Sequence, residues 1–230
     1  MIKVILWDID GTLLDFLKSE KAAIRSCFEV FEMGQCTDEM IGRYSKINRK
    51  YWEALERGEA TKEQVLHGRF KEFFEKEKLR TDCVVEFNKE YQSRLGDTIC
   101  FCDDGYELVK KLKGQFKQYA VTNGTKVAQD KKLKKSGLID LFDGIFISED
   151  IGVEKPGIGF FDYVRKEIGF YENDEIMIIG DSLTSDMQGG ANAGIVCCWY
   201  NPKGKENDKQ LKLDYEINNL QKVLNILGVE

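Results

Sequence analysis

The chain has 230 residues, of which 42% are hydrophobic, 32% are charged and only 2 are prolines. This composition excludes a disordered chain, and the length predicts one large domain or two small ones. The 40 acidic and 34 basic residues give a formal net charge of −6, which disfavours binding to nucleic-acid polymers.

Membrane insertion and zinc binding are not expected either. The sequence has no apolar run of the roughly 20 residues needed to cross a bilayer, and its apolar start is too short for a signal peptide. The seven cysteines form no CxxC motif, and the chain has a single histidine, which argues against a zinc site. We therefore expect reduced thiols and a cytoplasmic protein.

The first half of the chain changes from a strand pattern to a helical one. The apolar run Lys3–Trp7 predicts a buried strand that ends at Asp8. Between residues 17 and 96, apolar residues repeat at helical spacing, as in Ala23, Cys27 and Phe31. This segment predicts a module of four or five helices.

The second half alternates short apolar runs with helical patterns. The expected strands are Tyr119–Thr122, Gly144–Ser148, Glu175–Gly180 and Ile195–Tyr200. The expected helices are Tyr106–Leu112, Lys126–Ser136, Phe160–Ile168 and Gln221–Leu227. Such alternation predicts an α/β fold, a Rossmann-like parallel sheet core formed by residues 1–16 and 97–230. Residues 17–96 are then an inserted all-helical cap domain over the carboxyl ends of the strands, where α/β folds bind ligands.

Four short motifs lie at the ends of the predicted strands or in the segments that follow them. They are Asp8-Ile9-Asp10-Gly11-Thr12, Thr122-Asn123-Gly124, Lys155-Pro156, and Gly180-Asp181 with Asp186 five residues later. The last three motifs taken singly are also compatible with turns or helix caps. The first is more specific, because it places two carboxylates directly after a buried strand.

These residue types suit phosphoryl transfer to a carboxylate. Asp8 could attack phosphorus if the negative charge of the substrate were neutralised, and Mg²⁺ held by Asp8 and Asp181 would neutralise it. Asp10 could donate a proton to the leaving oxygen and later accept one from water. The Thr122 hydroxyl, the backbone N–H groups around Asn123 and the Lys155 ammonium could bind phosphate oxygens.

The ordered set of motifs resembles that of the haloacid dehalogenase superfamily, in its phosphatase branch. The resemblance implies that Asp8 forms an aspartyl-phosphate and that Asp10 is the general acid and base. It implies Mg²⁺ as the cofactor, held by the Asp8 carboxylate, the Asp10 backbone carbonyl and Asp181, with support from Asp186. It also implies that Thr122, Asn123 and Lys155 bind the phosphoryl group. The helical insert resembles the all-helical cap of the first cap class of that superfamily.

A finer resemblance concerns the substrate. The stretches Leu66–Phe70, Ile147–Pro156, Gly189–Gly194 and Cys198–Asn201 are similar to those of bacterial pyrimidine 5′-nucleotidases. The resemblance implies hydrolysis of nucleoside 5′-monophosphates such as UMP, dUMP and dTMP. The expected partner is therefore a small phosphate monoester, with no nucleic-acid polymer and no membrane.

Several residues permit a structural and a functional interpretation. Asp186 could cap a helix instead of supporting the metal site. His67 and Arg69 could face the substrate, but packing of the histidine and solvation of the arginine are the simpler hypotheses. Aromatic residues of the insert could stack on a base or fill the core of the insert; they are Tyr44, Tyr51, Trp52, Phe70 and Phe74. The lysine clusters Lys110–Lys113 and Lys131–Lys135 are interpreted as solvated helix faces.

Other functions remain compatible with the motifs. A phosphatase of a sugar phosphate or of phosphoglycolate would use the same residues, and so would a phosphomutase that returns the phosphoryl group to a bound sugar. A dehalogenase is disfavoured because it would not need Asp10 or the acidic residues of the metal site. A binding module without activity would not need the nucleophile, the acid and the lysine together.

Overall fold

The computed structural model describes residues 1–229 and contains a central sheet of six parallel strands. The strands are β1 (Val4–Trp7), β2 (Lys117–Thr122), β3 (Gly144–Ile147), β4 (Ile176–Gly180), β5 (Val196–Tyr200) and β6 (Tyr215–Ile217). Their order across the sheet is β3-β2-β1-β4-β5-β6. The chain therefore begins in the middle of the sheet, and the strand order reverses beside β1, which is where open α/β sheets form a ligand crevice.

Ten α-helices are found in the described part of the chain. Four lie between β1 and β2 in an inserted block: α1 (Phe16–Val30), α2 (Asp38–Glu56), α3 (Lys62–Glu77) and α4 (Val84–Arg94). Six accompany the sheet: α5 (Gly105–Leu112), α6 (Lys126–Ser136), α7 (Ser148–Ile151), α8 (Ile158–Ile168), α9 (Gln188–Ala193) and α10 (Lys222–Leu227). No helix within residues 1–229 is long and apolar enough to cross a bilayer.

Helices cover both faces of the sheet, and the side chains of each strand alternate between the two faces. Ile5 and Trp7 of β1 pack in one apolar cluster with side chains of α5 and α10. Val4 and Leu6 point to the other face, into a second cluster that includes Phe160 and Phe161 of α8. The result is a three-layer α/β core, which confirms the predicted fold class.

The inserted helices have an apolar core of their own, built largely from aromatic rings. Phe28, Phe70, Phe73 and Phe87 are each at most 1% exposed, and Tyr44 stacks on Phe70 with ring centroids 4.8 Å apart. Burying one such side chain contributes roughly 1.5–3 kcal/mol, so this cluster can hold the four helices together. Tyr44, Phe70 and Phe74 therefore fill the core of the insert.

The sequence patterns located every strand but one. The helix predicted at Lys126–Ser136 has those bounds, and Gly137 follows it with φ 74°, in the left-handed conformation that favours glycine. The missed strand, β6, has three residues, of which Tyr215 and Glu216 are exposed, so no apolar alternation marks it. The segment Leu183–Met187 forms a π-helical turn that the sequence did not indicate.

Candidate active site

Asp8 lies at the carboxyl end of β1 and is held there by backbone and side-chain bonds. Its N–H donates to the carbonyl of Ile179 on β4 at 2.9 Å. Its carboxylate accepts the Thr12 hydroxyl at Oδ2 and the Lys155 ammonium at Oδ1, both at 2.9 Å. With 7% exposure, this carboxylate is nearly buried yet opens on the cavity described below. A hydroxyl thus fixes the orientation of one carboxylate oxygen, and a cation fixes that of the other.

Lys155 is a buried cation placed between two carboxylates. Its side chain is 1% exposed, and Nζ donates to Asp8 Oδ1, to Asp186 Oδ1 at 2.6 Å and to the Val121 carbonyl at 2.8 Å. Burial opposes the charged form, but the charges of Asp186 and Asp8 outweigh that effect and raise the pKa of Lys155 above its usual value. The ammonium is thus fully satisfied and stays charged at neutral pH.

Three carboxylates meet in this place, those of Asp8, Asp181 and Asp186, with one oxygen of each within 4.8 Å of the others. Desolvation, followed by the charge of Asp186, raises the pKa of Asp8 well above its usual value and that of Asp181 to about 6. Gly11 allows this approach, because its φ is +99° and a Cβ atom there would lie 2.7 Å from Asp181 Oδ1.

The donor set fits a hard divalent cation. All three groups offer carboxylate oxygens, which are ligands that Mg²⁺ prefers. The single buried ammonium among them balances only one of their three negative charges. Lys205 approaches Asp181 at 3.9 Å, but its side chain is 53% exposed. Asp186 is the least available of the three, since Lys155 and the Ser182 N–H already occupy its two oxygens. Ser182 caps the π-helical turn Leu183–Met187, because its hydroxyl accepts the Ser185 N–H. Asp186 is therefore not the helix cap that the sequence allowed.

Thr122 and Asn123 end β2 on the same side of the sheet. Thr122 is 1% exposed, and its hydroxyl oxygen accepts the Gly124 N–H at 3.2 Å. The side-chain amide of Asn123 is bonded to the backbone of Lys155 in both directions, at 2.8 and 2.9 Å. That amide holds the loop carrying the lysine, and the Gly124 N–H already donates to Thr122, so the Asn123 backbone N–H is the donor of these two residues that could bind a phosphate.

Asp10, the second carboxylate of the first motif, is held by α6. Its Oδ1 is 2.5 Å from Lys132 Nζ, and its Oδ2 accepts the Gln129 amide at 2.7 Å. Lys132 is only 1% exposed, so the prediction of a solvated lysine face is wrong at this position. It lies on the buried side of α6, next to Leu133 and one turn after Ala128, and a charged side chain is tolerated there because Asp10 pairs with it. The two residues that bind Asp10 were both missed from the sequence.

Arg69 and His67, the two residues of α3 that permit both a structural and a functional interpretation, occupy different environments. Arg69 is 1% exposed, so its interpretation as a solvated residue is wrong, and its guanidinium donates to Asn48 and Asn88 at 2.9 Å each. It also lines the cavity at the strand ends. His67 is exposed and lines a surface groove of the insert instead.

One cavity of about 170 Å³ unites the predicted residues. Its lining includes all seven of them: Asp8, Asp10, Thr122, Asn123, Lys155, Asp181 and Asp186. The inserted helices line it with Phe16, Trp52, Glu56, Arg69, Gln92 and Leu95. The chemistry-bearing side chains thus come from the sheet, and aromatic and polar side chains of the insert face them.

Glu56, at the end of α2, joins the insert to the core by accepting the Thr184 hydroxyl. Desolvation is the main cause that raises its pKa to about 7. A carboxyl group with a folded-state pKa above its unfolded value costs stability as pH rises from about 4.5, and the cost levels off above the folded pKa. Glu56 is therefore expected to destabilise the protein between pH 5 and pH 8.

Replacing Glu56 by Gln should remove this cost. We expect Glu56→Gln to raise Tm at pH 8 in EDTA by about 2–8 °C, equivalent to about 1–2 kcal/mol, with little change at pH 5. The matched control is Glu53→Gln, since Glu53 lies on the same helix with 44% of its side chain exposed. Equal shifts for the two variants, or a Glu56→Gln shift that does not grow with pH, would contradict the assignment.

Comparison with known proteins identifies relatives along the whole chain. The family of haloacid dehalogenase-like hydrolases matches residues 2–194. The chain is 36% identical to the HAD-hydrolase YfnB of Bacillus subtilis over 228 residues, which are 99% of this chain and 96% of YfnB. It is 32% identical to the pyrimidine 5′-nucleotidase PynA of Streptococcus pneumoniae, covering 98% of this chain and 94% of PynA.

A solved structure and a further sequence relative agree with this comparison. A crystal structure of YfnB bound to magnesium superposes with a TM-score of 0.93 over 99% of each chain. The pyrimidine 5′-nucleotidase YjjG of Escherichia coli is 27% identical over 223 residues, covering 97% of this chain and 96% of YjjG. The fold, the inserted helices included, is therefore shared with YfnB, a relative of similar length.

Proposed function

The chain belongs to the haloacid dehalogenase-like hydrolases, and we propose that it is a Mg²⁺-dependent phosphomonoesterase that hydrolyses nucleoside 5′-monophosphates, with a preference for pyrimidines. The observation that carries the chemistry is the arrangement around Asp8. Lys155 and Thr12 orient this buried carboxylate at the end of β1, beside two further acidic groups. The similarity to PynA and YjjG supports the substrate class.

In the first half of the proposed reaction, Asp8 attacks the phosphorus of the substrate. A bond forms between a carboxylate oxygen of Asp8 and phosphorus while the bond from phosphorus to the ester oxygen breaks. The electron pair of that bond stays on the leaving oxygen, which takes a proton from Asp10. In this proposal the Thr122 hydroxyl and the Asn123 N–H donate to the phosphoryl oxygens, and the positive charge of Lys155 stabilises these oxygens throughout.

In the second half, water hydrolyses the aspartyl-phosphate. The water oxygen bonds to phosphorus, one of its protons passes to Asp10, and the electron pair of the broken bond returns to the Asp8 carboxylate. Asp10 is thereby protonated again for the next turnover. Residues 17–96 act in this proposal as a cap whose helices close the cavity and exclude bulk water.

Asp8 and Asp181 are the carboxylates proposed to hold Mg²⁺, together with the backbone carbonyl of Asp10, and Asp186 supports the site through Lys155. Bound Mg²⁺ would neutralise charge on the phosphoryl group and so permit attack by an anionic nucleophile. The unbalanced negative charge of the three clustered carboxylates supports this proposal.

Side chains on the cap side of the cavity support a nucleoside as the organic group of the substrate. Phe16 and Trp52 offer aromatic faces, on which a base can stack, and the amide of Gln92 offers a hydrogen-bonding group for its polar edge.

All seven cysteines are free, which supports a reducing compartment such as the cytoplasm.

The experiment that tests this function is phosphate release with Mg²⁺ from a panel of phosphate esters. We expect kcat/KM to be highest for UMP, dUMP or dTMP and lower for purine nucleotides, sugar phosphates and phosphoglycolate. EDTA should reduce the rate at least about 100-fold, and added Mg²⁺ should restore it.

Each outcome of the panel decides a separate part of the proposal. Preference for a sugar phosphate, with loss in EDTA, would keep the metal-dependent mechanism and contradict the substrate class. Full activity in EDTA would contradict the metal site. Release from no member of the panel would contradict the phosphomonoesterase proposal.

A further inference from the structure

Helix α6 carries a lysine in a position where burial is costly. Lys132 is 1% exposed, and its ammonium lies 2.5 Å from Asp10 Oδ1 and 5.2 Å from the centroid of the Phe16 ring. A buried ammonium needs a partner of opposite charge, and Asp10 provides it. A carboxylate of the reaction centre is thus bound by a residue to which neither the motifs nor the proposed mechanism assigns a role.

A second donor on α6 completes the binding of Asp10. Gln129, one turn before Lys132, is fully buried, and its amide donates to Asp10 Oδ2 at 2.7 Å. Each oxygen of the Asp10 carboxylate therefore has its own donor, and both donors come from one face of one helix. Gly124 leaves the space for this contact, because a Cβ atom there would collide with the Gln129 amide.

This arrangement restricts the motion of a partly exposed side chain. The Asp10 side chain is 22% exposed and faces a cavity, so packing alone does not fix its two torsion angles. Proton transfer requires the carboxyl oxygen within hydrogen-bond reach of the leaving oxygen and of the attacking water. When Asp10 carries the proton, its oxygens keep lone pairs that can still accept the two donors. A carboxyl group held in this way spends more of its time in one orientation, and this raises the rate of a step that depends on that orientation.

We propose that Lys132 and Gln129 are positioning residues, which hold the general acid and base Asp10 in the orientation needed for proton transfer. This inference rests on the proposed function, since it requires that Asp10 transfers protons in a phosphatase reaction. Neither residue needs to touch the substrate. We therefore expect replacement of either residue to slow hydrolysis more when the leaving group needs a proton than when it leaves as a stable anion.

The test compares two aryl phosphates that differ in this demand. p-Nitrophenolate leaves without a proton, whereas phenol, with a pKa near 10 like that of tyrosine, benefits from one. We expect Lys132→Met to lower kcat/KM for phenyl phosphate about 10- to 100-fold and that for p-nitrophenyl phosphate less than about 3-fold. Gln129→Leu should also lower the ratio of kcat/KM for phenyl phosphate to kcat/KM for p-nitrophenyl phosphate. Lys132→Arg, which retains a cationic donor, should restore part of the wild-type ratio.

The matched control is Lys134→Met, because Lys134 is an exposed lysine two positions along the same helix. It should leave both rates unchanged, and melting curves of all variants should show folded protein. An equal fall for the two esters in Lys132→Met and Gln129→Leu, or no fall in either, would overturn the positioning role. Absence of hydrolysis of both aryl esters and of the nucleotide panel by the wild-type protein would instead overturn the proposed function, and this inference with it.

Discussion

Replacing Asp8 by Asn is expected to lower phosphate release at least about 10³-fold while leaving the fold intact. The amide of Asn is close in shape to the carboxylate: its oxygen can still accept the Lys155 hydrogen bond, and its NH2 group, in the place of Oδ2, can donate to the Thr12 hydroxyl oxygen. It carries no negative charge, however, and cannot form the aspartyl-phosphate. The measurement is kcat with the best substrate of the panel, and circular dichroism checks the fold.

The same substitution is expected to stabilise the protein when no divalent cation is present. Asp8, Asp181 and Asp186 repel one another within a cluster 4.8 Å across, and desolvation and Asp186 raise the pKa of Asp8 well above its usual value. Removing one of these charges should raise Tm in EDTA by about 2–8 °C, or about 1–2 kcal/mol. Excess Mg²⁺ should narrow the difference, because it binds the wild-type site more tightly and stabilises it by linkage.

Asp162→Asn is the matched control, since Asp162 is exposed on α8 and outside the cavity. It should leave both kcat and Tm close to those of the wild type. Turnover by Asp8→Asn within about tenfold of the wild-type rate would contradict the role of Asp8 as nucleophile. A lower Tm than the wild type in EDTA would show that the carboxylate stabilises the fold, contrary to the electrostatic argument.

The parts of the site that the sequence predicted are those placed by the sheet. Asp8, Thr122 and Asp181 each follow an apolar run, and parallel strands bring their carboxyl ends to one edge, so their meeting follows from the strand pattern. Lys155 follows the same logic, although it lies further from its strand. This is why a few short motifs sufficed to predict that these residues lie at one edge of the sheet.

The parts that were missed depend on contacts between distant segments of the chain. Lys132 stands in a lysine-rich helix whose composition indicates a solvated face, and its partner Asp10 lies 122 residues earlier. Arg69 donates to Asn48 and Asn88 of two other helices. A buried charge has no local sequence pattern, because what permits its burial is a partner that only the fold brings near.

Lys155 belongs to both the chemistry and the stability of the site, and its replacement by Met is expected to impair both. The variant loses the three hydrogen bonds of Nζ and leaves Asp8 and Asp186 without their shared cation. Breaking a buried ion pair from one side costs about 3–5 kcal/mol, so Tm should fall by about 6–20 °C. Lys117→Met is the control: Lys117 also pairs with a carboxylate, Asp143 at 2.6 Å, but is 56% exposed, and Tm should change by less than about 4 °C.

A double variant separates the loss of the cation from the loss of packing. If the uncompensated charge of Asp8 causes the destabilisation, adding Asp8→Asn to Lys155→Met should restore part of the lost stability, and the two changes should be non-additive by at least about 1 kcal/mol. If instead the hydrogen bond to the Val121 carbonyl and the packing of the methylene chain dominate, Asp8→Asn should change the free energy of unfolding by the same amount in the Lys155→Met background as in the wild type. Urea unfolding of the wild type, both single variants and the double variant in EDTA gives the four free energies of this cycle. Strict additivity would contradict direct coupling of Asp8 to Lys155 and would assign the stabilising role of the lysine to Asp186 and the backbone.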